Sequence, residues 1–185
     1  MSIVPHLRDL YQHLEWADST IWRTVFSNPL AVGDSGIHDR LAHCHLVQWA
    51  HLSAWQGTPF DLKGFGSPPV EELALRARDY HAAVHRYLES VDEATVGRQL
   101  VVPWLDVLEQ HWKRKVAPLT VAEGILQVAM HSAYHRGQVN ARLRELGAEP
   151  PLTDYIVWIW FGRPPAEWPT LPAQGDAADS KEQRP

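Results

Sequence analysis

The sequence has a single cysteine, no long apolar run and no excess of positive charge. With Cys44 alone, the 185-residue chain cannot form an internal disulfide, which fits a reducing compartment. No apolar stretch approaches the ~20 residues that a membrane-spanning helix needs. The amino terminus also shows no basic region followed by an apolar one. We therefore predict a cytoplasmic location and no membrane partner.

The formal net charge of −5 leaves no overall positive field to neutralise phosphates, so we predict no nucleic-acid partner. Two motifs of common enzyme classes are missing as well, the glycine-rich phosphate loop and the nucleophile-elbow serine. The balance of hydrophobic and charged residues is ordinary for a globular domain. The unusual features are nine tryptophans and eleven histidines, and the histidines are the main candidates for function.

Apolar residues recur at helical spacing in four long segments, each bounded by residues that cap or break helices. The predicted long helices run from about Val4 to Phe26, from about residue 35 to Gln56, from Val70 to Val91 and from Thr120 to Leu146. Asp34 or Ser35 is expected to cap the second of them, and a capping box of Thr120 and Glu123 is expected to start the fourth. Four such helices predict an all-α four-helix bundle.

The segments between the helices are less regular. Residues 57–69 predict a loop, and residues 92–119 predict a short extended piece near 96–104 followed by a loop or helical turn. A short last helix is expected from Tyr155 to Phe161, with Thr153 or Asp154 as its cap. Residues 172–182 contain no aromatic or β-branched residue. We therefore predict one bundle domain over 1–169 and a disordered tail over 170–185.

The fourth predicted helix carries His131 and His135, whose four-residue spacing stacks both imidazoles on one helix face. A helical wheel places His135 on the apolar stripe that runs from Val121 to Leu146. One interpretation is that water or backbone groups satisfy both rings. The other is a shared metal ion, which would give each ring a partner and avoid a cost of roughly 1–3 kcal/mol per unpaired polar group.

A metal site in a bundle draws its ligands from facing helices, so the second helix should supply a third ligand. The residues themselves leave His43 and His45 open as candidates. A second pair at four-residue spacing, His81 and His85, has charged neighbours on the third helix. We predict that this second pair lies on a solvated or rim face.

Three further residues have a structural and a functional interpretation. We expect Arg136 to form a structural ion pair in preference to a substrate clamp. Gly137, in mid-helix, is expected either to permit close helix approach or to leave room in a pocket. Cys44 is expected to be a core thiol and not a redox residue, since it points about 100° away from His43.

Several motifs together resemble the DinB-like (YfiT-related) superfamily of proposed metalloenzymes. The most specific is HSAYHRGQ at residues 131–138, followed by LRELGAEPPLTD at 143–154, while WAD at 16–18 and SGIHDRLAH at 35–43 are weaker matches. The sequence departs from the family at His51, where the family often carries tryptophan. This departure concerns the lining of the pocket and not the metal ligands.

The resemblance implies a bundle with up-down-down-up connectivity and a metal ion held by His43, His131 and His135. In the family the ligand histidine precedes a helix-ending glycine by about fourteen residues, and that spacing to Gly57 selects His43. Three neutral imidazoles suit Zn²⁺ or Ni²⁺ and leave a coordination position open. Ser132 stands where a zinc peptidase carries its catalytic glutamate, so that chemistry is not expected.

The family suggests a metal-dependent enzyme acting on a small molecule, of the thiol S-transferase or hydrolase type. A low-molecular-weight thiol would then be the co-substrate, and the catalytic residues stay unassigned. The alternative is a non-catalytic metal-binding bundle with a role in stress response. For this alternative we also expect that the chain can form a homodimer through an exposed helix face.

Overall fold

The computed structural model describes residues 2–171, and within that range the chain is helical with no β-strand. An isolated bridge joins Gln99 to Thr120. The helices are α1 Val4–Phe26, α2 Pro29–Val32, α3 Ser35–Gln56, α4 Leu62–Phe65, α5 Val70–Ser90, α6 Glu93–Gly97, α7 Leu105–Trp112, α8 Val121–Glu145 and α9 Tyr155–Trp160. The predicted all-α fold is confirmed. Among the described residues no helix has the length and apolarity needed to cross a membrane.

The residues predicted to start and end the long helices α3 and α8 form the expected capping interactions. The Asp34 carboxylate accepts from the Ile37 amide at 2.9 Å at the start of α3, and Gly57 ends that helix with a positive φ of 70°. At the start of α8, Thr120 and Glu123 form the reciprocal capping box. The short helix α9 differs, because Asp154 stands at its cap position but makes no side-chain hydrogen bond there.

Residues 92–119 differ from the predicted extended piece and loop. The Asp92 carboxylate caps the five-residue helix α6, and α7 follows a turn at Trp104. None of the residues of α7 is buried, so this helix contributes little to the core. Residues 172–185 lie outside the described residues, and the predicted tail disorder stays a prediction.

Two pairs of neighbouring long helices run antiparallel. Near the start of α1, Arg8 Nε donates to the Leu88 carbonyl at 2.8 Å, close to the end of α5. Near the start of α3, the Asp34 carboxylate accepts from Arg142 Nη2 at 2.7 Å, close to the end of α8.

The other two neighbouring pairs run parallel. The ring of His38, near the start of α3, donates to the Pro68 carbonyl at 2.7 Å just before α5, and both helices end where Tyr87 contacts Trp55. The Tyr11 hydroxyl of α1 donates to the Ile125 carbonyl of α8 at 2.9 Å. Thus α1 and α8 point one way along the bundle, and α3 and α5 point the other way.

The apolar core is divided into two main clusters along the bundle axis. One half contains Tyr11, Leu52, Tyr80 and Val128, and the other contains residues such as Ile21. Between the halves lies a belt of buried polar side chains contributed by all four long helices. We call it the polar layer, and its members are Asp18, His45, Gln48, His81, Ser132 and Arg136.

Candidate metal centre

Three histidines converge on the outer side of the contact between α3 and α8. One ring nitrogen each of His43, His131 and His135 lies within 4.8 Å of the other two. The ring centroids of His131 and His135 are 4.3 Å apart, as expected for neighbours on one helix face. The His43 ring lies 4.8 Å from His135 and 5.2 Å from His131. The structure thus brings together all three histidines predicted from the sequence.

Of the three histidines, His131 gives the clearest indication that the cluster binds a ligand. Its Nε2 is buried and has no hydrogen-bond partner among the described residues. An unpaired buried nitrogen costs roughly 1–3 kcal/mol, so a protein retains one where something else satisfies it. A cation coordinated by the three imidazoles would do so, and the donor set therefore fits a metal ion.

His135 is oriented by a neighbour on its own helix. Its Nδ1–H donates to Gln138 Oε1 at 2.9 Å, because a carbonyl oxygen only accepts. This bond selects the tautomer in which Nε2 keeps its lone pair. Such a hydrogen bond from the second ring nitrogen is typical of metal-binding histidines.

The surroundings keep two of these rings neutral. Burial, reinforced by the neighbouring imidazoles of His135, His43 and His51, lowers the pKa of His131 to about 4. Burial also lowers the pKa of His135, together with the charges of His43 and Arg40 and against the opposing effect of Gln138. A neutral imidazole is the form that coordinates a metal.

The polar layer lies directly behind the three histidines. The Asp18 carboxylate accepts from Arg136 Nη1 at 2.8 Å, from Gln48 Nε2 at 2.8 Å and from His81 Nε2 at 3.0 Å. One carboxylate therefore ties together α1, α3, α5 and α8. Burial alone would raise the pKa of Asp18, but Arg136 and His81 hold it well below its ordinary value. The predicted structural ion pair of Arg136 is thus present.

His45 occupies the same layer and cannot serve with the other histidines. Its Nδ1–H donates to Gln48 Oε1 at 2.7 Å, and its Nε2 accepts from Trp22 Nε1 at 3.1 Å. Both ring nitrogens are therefore used inside the protein. Of the two candidates that the sequence left open on the second long helix, His43 is the one that the structure places beside His131 and His135.

The predicted solvated or rim position of His81 is wrong. Its side chain is fully buried against Asp18, while His85 is half-buried and contacts Glu15 Oε2 at 2.8 Å. The charged neighbour Asp79 is exposed on another face of α5. The missed signal was Asp18 itself, which stands between Leu14 and Ile21 on the apolar face of α1. A buried carboxylate at such a position requires partners from other helices.

Two more residues near the cluster have clear positions. His51 lies two turns beyond His43 on α3, donates through Nδ1 to the Val47 carbonyl at 2.9 Å and packs edge-on against Trp104. Cys44 is buried, and burial raises the pKa of its thiol to about 12, so it is not a thiolate nucleophile at neutral pH. The core position expected for Cys44 is the one observed.

The cluster as a whole is a three-nitrogen donor set with one open side. His43 is exposed to solvent, and no carboxylate or cysteine joins the group among residues 2–171. Three protein ligands and an accessible face are the arrangement of catalytic metal sites, while structural sites are closed by a fourth ligand.

Residues 36–166, more than two thirds of the chain, match the sequence model of a family described as the DinB family. The matched region contains α5, α8 and nearly all of α3, and hence all three histidines of the cluster. No curated protein matches the chain.

Proposed function

The chain belongs to the DinB family, and on that premise we propose that it binds a divalent metal ion through His43, His131 and His135. The observation that carries the proposal is the buried, unpartnered Nε2 of His131 beside two other imidazoles. Neutral nitrogen ligands favour Zn²⁺ or Ni²⁺ over the hard cations Mg²⁺ and Ca²⁺.

We propose further that the bound ion acts on a small molecule, as in a thiol S-transferase or a hydrolase. Such an ion supplies Lewis acidity, which promotes deprotonation of water or of a low-molecular-weight thiol at neutral pH. Among residues 2–171 no accessible cysteine or serine nucleophile is adjacent to the three histidines in the sequence, since Cys44 and Ser132 are both buried. The attacking group would therefore come from solution.

The protein's own residues would hold the metal ligands in position and contribute positive charge that acts on the site. Gln138 holds the ring of His135 in one tautomer, and the polar layer fixes α3 against α8. Arg40 lies near enough for its charge to act on His135. A positive charge whose effect reaches the site would favour an anionic substrate or a thiolate.

A second candidate function is a non-catalytic metal-binding bundle with a role in stress response. The absence of any carboxylate in the cluster among the described residues favours it, because a carboxylate is one of the usual general acids or bases of a hydrolase. A homodimer and a cytoplasmic location remain proposals under both functions.

The metal site is tested by elemental analysis of the purified protein. We expect about one Zn or Ni per wild-type chain and a large loss of bound metal in His135→Ala. His111→Ala, which removes an exposed histidine of α7, is the matched control and should retain the metal. Equal metal content in wild type and His135→Ala would refute the assigned site.

Activity is tested on metal-loaded protein with a panel of small thiols and an electrophile, and in parallel with simple ester and amide substrates. Turnover that disappears in His135→Ala and persists in His111→Ala supports the enzyme. Full metal loading without turnover of any thiol or hydrolytic substrate supports the non-catalytic alternative.

A further inference from the structure

One side of the bundle carries a concentration of exposed apolar side chains. Half of the twelve large hydrophobic residues that are exposed among residues 2–171 come from the outer face of α8 and from the segment 152–160. We call these six residues the apolar patch, and they are Met130, Tyr134, Leu152, Tyr155, Ile156 and Trp160. The two most exposed members, Trp160 and Met130, have exposed fractions of 74% and 71%.

The members of the apolar patch form one continuous surface. A cavity with a volume of about 510 Å³, between α1, α8 and the segment before α9, is lined by Met130, Leu152 and Tyr155. Tyr134 follows Met130 by one turn of α8, so the two side chains share a helix face. The remaining two members lie one turn apart on α9, beginning directly after Tyr155. The patch therefore extends from α8 across the mouth of the cavity to the exposed face of α9.

The apolar patch is large for the surface of a monomer. Three of its members are aromatic, and an aromatic side chain has an area of roughly 150–250 Å². With the exposed fractions of all six residues, the patch presents on the order of 600 Å² of mainly apolar surface, the upper limit for the largest patch of a typical monomer. A standard protein–protein interface buries about 800 Å² of each partner. The patch and its polar rim therefore have the area that a stable interface requires.

The shape of the apolar patch suits an identical surface. In a twofold interface the same patch faces itself, so each protruding group must find a recess within that patch. The exposed rings of Tyr134 and Trp160 are the protruding groups, and the cavity is the recess. A patch that contains both can pack against its own copy.

Small residues on α8 leave room for a second chain beside the patch. Ala133, Gly137 and Ala141 follow one another at four-residue spacing and are exposed. A Cβ added at Gly137 would meet no heavy atom within 4 Å, so this glycine does not serve close packing within the chain. Of the two roles expected for Gly137 from the sequence, room in a pocket is the one that fits, since it lines the cavity.

The charges at the rim favour a second copy over a surface of one sign. The exposed residues of the cavity lining include Arg144, Glu149 and Asp154. The two carboxylates would repel an anionic surface such as nucleic acid or an acidic membrane, and Arg144 would repel a cationic one. A copy of the same surface carries both signs, so each Arg144 can face a carboxylate of the other copy.

We propose that the apolar patch is the interface of a twofold-symmetric homodimer, in which each copy covers the patch of the other. The exposed rings of Tyr134 and Trp160 pack in or beside the cavity of the opposite copy. The interface reaches the edge of the histidine cluster, because the Tyr134 ring packs edge-on against the His135 ring at 5.2 Å. The dimer requires no bound metal ion, so its tests are independent of the proposed metal function.

The first test is sedimentation equilibrium of the full-length protein. We expect a species of twice the 21.0 kDa of one chain, with a Kd of about 10 µM or tighter for an interface of this area. Trp160→Glu and Met130→Glu should each weaken the dimer by at least about tenfold, because a charge would be buried against apolar surface. Trp112→Glu, at an exposed tryptophan of α7 outside the patch, is the matched control and should leave the Kd unchanged. Circular dichroism establishes that each variant is folded, and Met130→Glu keeps the test decisive if Trp160→Glu does not fold.

The second test locates the interface by NMR on a mixture of two samples. One sample is ¹⁵N-labelled wild type, and the other is unlabelled Glu149→Cys carrying a nitroxide, while the native Cys44 is buried and stays unmodified. We expect the nitroxide to broaden signals of the ¹⁵N-labelled copy at residues 126–141 and 149–160, since the nitroxide is present on the other copy alone. A nitroxide at Asp79→Cys, exposed on α5, should broaden no signals in these two ranges.

Three results would overturn the proposal. A wild type that stays monomeric at about 500 µM, far above the expected Kd, would show that the patch does not pair with itself and belongs to a different partner. A dimer that both patch variants leave intact, or that Trp112→Glu weakens as much as Trp160→Glu does, would show that the copies meet through another surface. Stronger intermolecular broadening from Asp79→Cys than from Glu149→Cys would place the interface at α5.

Discussion

At the scale of single residues, the histidines differ in how many of their ring nitrogens have a hydrogen-bond partner inside the protein. His45 uses both nitrogens inside the protein, His135 uses one, and His131 leaves a buried Nε2 unused. The rings of His131 and His135 each bring one nitrogen to the same place on the bundle. Spacing in the sequence cannot reveal this distinction, since it depends on which donors and acceptors other helices bring to each ring.

Gln138 provides a prediction for the metal site. Replacing it with alanine removes the acceptor for His135 Nδ1–H, so the ring loses its fixed tautomer and orientation. We expect Gln138→Ala to weaken metal binding by about 10–100-fold, measured by competition with a chromophoric chelator. Gln127→Ala, at an exposed position on the same helix, should bind as wild type does. Equal affinity of both variants would contradict the role given to Gln138.

Asp18 provides a prediction for stability. Asp18→Asn keeps the shape of the side chain but leaves Arg136 as a buried charge without its counter-charge. We expect a loss of about 3–5 kcal/mol in the free energy of unfolding at pH 7, measured by urea denaturation in the presence of a chelator. Asp79→Asn, at an exposed position on α5, should change it by no more than about 0.5 kcal/mol.

The same carboxylate predicts a pH dependence. The folded state lowers the pKa of Asp18 below its unfolded value of about 3.9. Below that pH the unfolded chain takes up the proton first, so the stabilisation from this carboxylate is lost as the pH falls. The difference in unfolding free energy between wild type and Asp18→Asn should therefore shrink below about pH 4. A difference that stays constant down to about pH 3 would contradict this prediction.

The candidate ligands and an ion pair of Arg136 could be predicted from the sequence, but the rest of the polar layer behind them could not. His131 and His135 are recognisable by their spacing, and the family resemblance selects His43. Asp18, Gln48 and the other members of the layer are single polar residues among apolar neighbours on their helices. Their mutual contacts depend on how the helices are aligned along the bundle, which one sequence does not contain.

At the scale of helices, the chain's own start and stop signals define the long elements. The capping box at Thr120 starts α8, the helix that carries two of the three histidines. Thr120→Ala should therefore cost about 1 kcal/mol, within the range of roughly 0.5–2 kcal/mol typical of N-caps, measured by thermal or urea unfolding. Glu123→Gln, which can still reach back to the Thr120 amide, should have a smaller effect than Thr120→Ala.

The long helices could be predicted to within about a residue, whereas α6 and α7 could not. Long amphipathic segments repeat their apolar pattern over many turns, so the signal accumulates. A helix of five or eight residues, such as α6 or α7, has too few turns for that. The apolar residues around Val101 then suit an extended segment equally well.

At the scale of the whole molecule, the carboxyl-terminal residues provide a truncation test. Trp168 donates through Nε1 to Glu15 Oε1 at 3.0 Å and packs against His81, so the segment after α9 closes over α1 and α5. Removal of residues 172–185 should leave the unfolding midpoint unchanged. Removal of everything after Phe161 should cost at least about 1 kcal/mol, as measured in the same denaturation experiment.

The number of long helices follows from the sequence, but their directions do not. Each direction is established by a contact between distant residues, such as Tyr11 with Ile125 or Arg8 with Leu88. A loop of given length between two helices is compatible with more than one arrangement. Only the family resemblance carried an expectation about connectivity.

The parallel course of α3 and α5 has a consequence for the rate of folding. Because these successive long helices point the same way, residues 57–69 must return along the length of the bundle. The antiparallel contacts instead join α1 to α5 and α3 to α8, which are distant in the chain. In such a topology, few native contacts form between long helices that follow each other in the chain. Most contacts require a long loop to close beforehand, which costs conformational entropy. Its mean sequence separation of contacts is therefore high for a helical protein, and stopped-flow refolding should be slower than that of an up-down-up-down bundle of equal length and stability.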